Sequence, residues 1–126
     1  MPIGKELGSF SLTSTSMTKG VDSAGNHTFV MNMEGQVSGG WNGTVLATII
    51  ATTTDIDTGS YTISVAVYLD NGEVLTGSGS GIIRSLGGHK WRLNGVDLIS
   101  DGTCIASEGD LELATRTYSG SVFELT

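Results

Sequence analysis

The run from Tyr61 to Arg84 limits the choice of fold more than any other part of the chain. In its first half Tyr61, Ile63, Val65, Val67 and Leu69 alternate with Thr62, Ser64, Ala66 and Tyr68. A period of two, built largely from β-branched and aromatic residues, gives a half-buried strand with one apolar face. Asp70-Asn71-Gly72 follows, and these residues tolerate the positive φ of a tight hairpin. The return arm carries Gly77, Gly79 and Gly81 at alternate positions. A strand bare along one face can bend sharply or let another group come close. The segment therefore predicts a hairpin around which an antiparallel sheet curls.

The same period recurs elsewhere. Phe10 and Leu12 mark one face of a strand from Leu7 to Thr18, after six residues without a pattern. Lys19 to Asn26 has the composition of a loop. In the next strand His27, Phe29, Met31, Met33 and Val37 share a face, with Thr28, Asn32, Glu34 and Gln36 opposite. The strand from Trp41 to Thr54 is apolar on both faces, through Val45, Ala47 and Ile49 on one and Leu46 and Ile50 on the other. A strand apolar on both sides is usually covered on both sides, either by a terminal segment of the chain or by a neighbouring subunit. The second alternative makes the expected partner another copy in a homo-oligomer, with this strand at the contact. A sixth strand spans His89 to Ser100, where the apolar phase passes from Trp91 and Leu93 to Val96 and Leu98. That change of phase predicts a bulge at Gly95. A short strand over Thr103–Ser107, a turn at Glu108-Gly109-Asp110 and a closing strand over Leu111–Leu125 complete the reading. Asp55, Asp57, Asp70, Asp101 and Asp110 read as turn residues.

With nineteen glycines, one proline and no 3.6-residue apolar stripe, residues 1–126 read as a single all-β domain. Seven or eight antiparallel strands fit an up-and-down barrel, with a β-sandwich as the alternative. Long strands and the glycine-studded arm favour the barrel. A formal charge of -7 argues against nucleic acid and against an anionic membrane surface. No stretch approaches the roughly 18 apolar residues that span a bilayer. With the single cysteine, Cys104, read as a buried inert thiol, and with no signal peptide, the expected location is cytoplasmic.

The strand pattern resembles the allene-oxide-cyclase-like, calycin-type small barrels of bacteria. The likeness rests on Gly8-Ser9-Phe10-Ser11-Leu12-Thr13-Ser14, on Gly77-Ser78-Gly79-Ser80-Gly81, and on the run from Gly109 to Gly120. It implies an eight-stranded barrel, often oligomeric, with a chamber open at one end. It brings no catalytic residue by motif match.

The chemistry the residues offer is modest. His27 and His89 each begin a strand and share parity with its apolar face, so each is a candidate proton carrier at a barrel mouth. Tyr61 and Asp97 complete the catalytic candidates. Asp97 would gain basicity by desolvation if it faced inward, although the expected bulge at Gly95 turns it outward. Trp91, Met31, Met33, Phe29, Trp41 and Tyr68 are the candidate ligand-binding residues, since aromatic and thioether side chains suit an apolar guest. Two histidines without a third ligand make no metal site, and no cofactor is implied. Two functions stay open. One is a cofactor-independent cyclase or isomerase that folds an apolar substrate inside the lumen. The other is a non-catalytic carrier of an apolar ligand, or an oligomeric interaction module.

Overall fold

The computed structural model describes residues 3–55 and 57–125. It contains eight strands: β1 (Ile3–Val21), β2 (His27–Ser38), β3 (Gly43–Thr53), β4 (Thr58–Leu69), β5 (Val74–Gly87), β6 (Lys90–Ile99), β7 (Cys104–Glu112) and β8 (Thr117–Leu125). Each pairs antiparallel with the next, and β8 returns to β1, so the sheet closes into a barrel. Closure removes every open edge. Among the described residues there is no helix, and so none long and apolar enough to cross a membrane.

The alternation sets what lies inside. Met31, Met33 and Val37 of β2, Val45, Ala47, Ile49 and Ala51 of β3, and Tyr61 and Val67 of β4 are all buried. Ile83, Leu93, Leu111 and Tyr118 extend this core around the barrel. The outer face is mainly Ser, Thr, Asn and charge, with scattered apolar residues such as Leu46 and Ile50.

Glycine makes the lumen narrow enough to fill. A Cβ on Gly79 would collide with the Asp97 carboxylate and the Val96 carbonyl oxygen of β6. One on Gly109 would stand 2.5 Å from the Tyr118 ring and 2.9 Å from the Phe10 ring. Those two rings pack with centroids 4.9 Å apart. Large aromatics thus lie over bare backbone.

Several boundaries differ from the sequence-based expectation. β1 runs well past both ends of Leu7–Thr18, because β8 pairs with it as far as Ile3 and β2 as far as Val21. β3 begins at Gly43, and Trp41 lies in the preceding bend. Glu108-Gly109-Asp110 is not a turn but the middle of β7. Gly109 is there to seat Tyr118 and Phe10, and its acidic neighbours reach Arg92 on β6. The chain reverses instead at 113–116, where Arg116 adopts φ 55°. β6 has no bulge at Gly95: its register with both neighbours is unbroken from Trp91 to Leu98. The Asp70-Asn71-Gly72 turn forms as expected, with Gly72 at φ 93° and the Asn71 carboxamide oxygen accepting from the Glu73 amide. Asp55 and Asp101 also serve turns, each accepting backbone N–H groups through Oδ1.

Candidate functional site

The lumen holds two separate spaces. The larger, about 460 Å³, opens at the end where β2 and β6 begin. Its wall is Met17, Phe29, Met31, Ala51, Ile83, Trp91 and Leu111, with Thr18, Lys19, His27, Thr53 and Leu113 towards the rim. The smaller, about 60 Å³, lies towards the opposite end among Phe10, Trp41, Val65, Asp97, Ile99, Ser107 and Tyr118. Ile49, fully buried, pairs with Met31 of the first wall and Ile63 of the second.

Polar chemistry in the chamber is confined to its mouth. Lys19 near the end of β1 and His27 at the start of β2 meet there, with Lys19 Nζ 2.8 Å from His27 Nδ1. The lysine ammonium carries only donors, so it is the donating partner in this contact. Five of the six Lys and Arg residues (Lys19, Arg84, Lys90, Arg92 and Arg116) lie on strand ends or turns at this end, as do both histidines. Arg92 forks onto Asp110 at 2.8 and 3.1 Å, which raises the guanidinium and holds the Asp110 carboxyl below its ordinary range. Lys19, Arg84 and Arg116 form no salt bridge among the described residues. The other end is acidic, with Glu6, Asp70, Glu73, Asp101 and Glu124 on or beside strand ends there against Lys5.

The candidate residues scatter over these regions. His27, Phe29, Met31 and Trp91 surround the chamber. Met33 is buried on the same face of β2, deeper in the core. Trp41 borders the small cavity instead. Tyr68 does not face the lumen: it lies on the outer face of β4, 47% exposed. His89 does not begin β6. It stands in the exposed β5–β6 turn at φ 60°, after Gly87 and Gly88, which also have positive φ. Cys104 is exposed on the outer face rather than buried.

Asp97 is the largest correction. It points into the barrel and is 4% exposed, whereas Val96 and Leu98 face outward. The bare inner face of Gly79, opposite Asp97 across the ladder, leaves room for the carboxylate. Burial pushes its pKa up to about 6, and Oδ1 has no hydrogen-bond partner among the described residues. The Tyr61 hydroxyl is likewise buried without a bond of good geometry. Burial raises its pKa, the Ser107 hydroxyl opposes that shift, and the Asp97 charge adds to it. Burial does the same to Tyr118, reinforced by Tyr61 and Asp97. Sequence alone offered one clue to this group: a single acid alternating with Trp91 and Leu93 if β6 keeps its phase. Among the described residues no cluster of His, Cys, Asp and Glu could hold a metal. No family model, curated protein or solved structure matches the chain.

Proposed function

We propose that the barrel is a non-catalytic binder of an amphipathic small molecule, with an apolar tail in the 460 Å³ chamber and an anionic head beside Lys19 and His27. The observation that carries this reading is the segregation of the wall. Carbon and thioether side chains line the depth, and Lys19, which forms no salt bridge among the described residues, stands with His27 at the opening. A chamber of this size is ordinary for a small organic ligand. Met17, Met31 and Phe29 offer an adaptable surface to a flexible chain. A cyclase or isomerase would need an acid or base beside a substrate held in the depth. The groups raised by burial, Asp97 and Tyr61, do not line this chamber, and its own acid–base side chains, His27 and Lys19, stand only at the mouth.

Titration calorimetry with a homologous series of straight-chain carboxylates tests this reading. Each added methylene is worth about 0.8 kcal/mol of burial, roughly fourfold in affinity, until the chamber is full. Affinity independent of chain length would refute it.

The face offered to a second copy is the outer side of β3 and β4. Neither strand contains a charged residue, although the chain as a whole carries -7. Leu46 and Ile50 stand 46% exposed there. The outer surface across β2–β6 is dished, enclosing about 690 Å³ with Glu34 its single charged lining residue. Two acidic copies meeting on this face keep their like charges at the periphery. A cytoplasmic location suits the exposed, unpaired Cys104 thiol, which a reducing compartment keeps free.

A further inference from the structure

We propose that the small cavity at the acidic end of the barrel is a second binding site, an aromatic cage around the Asp97 carboxylate that takes a small primary alkylammonium ion. Three rings border it, those of Phe10, Trp41 and Tyr118, and Ser107 adds a hydroxyl. No Lys, Arg or His is among its lining residues. Asp97 is more than nine-tenths buried, and its Oδ1 lacks any partner among the described residues. Buried carboxylates are normally paired or hydrogen-bonded, so this one has room for a counter-ion that the chain does not itself supply.

The surroundings select the kind of cation. Calcium takes six to eight oxygen ligands, and this cavity offers one carboxylate and the hydroxyls of Ser107 and Tyr118. Aromatic faces instead attract an organic cation through the ring quadrupole, and the attraction strengthens when water is excluded. The volume of about 60 Å³ is about twice a water's share of the liquid, which accommodates methylammonium. Water can bond to the carboxylate but cannot neutralise it. Trp41, partly exposed in the bend before β3, packs against the core at this end and forms the natural point of access.

The test uses the whole chain with Trp91→Phe, leaving Trp41 as the sole indole. Methylammonium chloride is titrated in while Trp41 emission is followed, with sodium chloride at matched ionic strength as the control. The expected result is a saturable change specific to methylammonium. Because burial holds the acid's pKa near 6, affinity should be about tenfold weaker at pH 5 than at pH 7, as protons compete for the carboxylate. Adding Asp97→Asn, which keeps the shape and removes the charge, should abolish the response while circular dichroism still reports the barrel. No saturable response, or one equal in sodium chloride or in the Asp97→Asn protein, overturns the proposal and leaves water as the occupant.

Discussion

Replacing Asp97 by asparagine should change how stability depends on pH, by an amount set by burial. In the unfolded chain the carboxyl titrates near its ordinary 3.8, and in the folded barrel near 6. Between these values the native state holds a proton that the unfolded state has lost. Protonated Asp97 is tolerated, so its contribution to stability is fully present below about pH 4. It is lost as the pH rises through 6, then levels off. A rise of about two pKa units at about 1.4 kcal/mol each is worth roughly 3 kcal/mol. Other carboxylates act in the opposite sense: backbone or guanidinium hydrogen bonds lower Asp22, Asp55 and Asp110, and they lose stability as the pH falls. The difference between wild type and Asp97→Asn isolates the buried acid, because the variant retains all the others. Urea denaturation from pH 4 to pH 8, in buffers free of amines, measures that difference. Asparagine should gain about 2.5 kcal/mol on wild type across this range, most of it between pH 4.5 and 6.5. A constant offset from the new amide leaves the change intact. A difference flat with pH, or one that moves against the variant as the pH rises, would refute the desolvation argument.

Three further outcomes are expected. Gly79→Ala should cost about 3 kcal/mol in urea denaturation, the upper part of the range for overpacking, because its Cβ would meet rigid β6 backbone as well as Asp97; a loss under about 0.5 kcal/mol would show that the ladder yields easily. Lys19→Ala should weaken binding of a straight-chain carboxylate about two- to fivefold, the worth of an exposed charge pair, and leave the gain per methylene unchanged. Sedimentation at micromolar concentration should give a mass above the 13.0 kDa of one chain, and Leu46→Lys on the outer face of β3 should return it to that mass; a wild-type monomer would remove this face as a contact between copies.

What the amino-acid order determined by itself is the periodicity. Alternation within Tyr61–Leu69 and His27–Val37 depends only on the geometry of a pleated strand, and both segments are strands with those residues turned inward. The Asp70-Asn71-Gly72 turn is equally local, since its dihedrals come from the residues that adopt them. The closed barrel decided the rest. In β6, Val96 and Leu98 read as the buried pair, yet both face outward, and Asp97 goes in because Gly79 on β5 leaves it room. Gly109 between two acids looked like a turn, but it is the seat for Tyr118 and Phe10. The true reversal, at Leu113–Arg116, contains no glycine to announce it. Parity along one strand is a property of that strand. Which parity faces the lumen, and where a charge can be buried, depends on side-chain volume contributed by strands distant in sequence, and only closure brings those together.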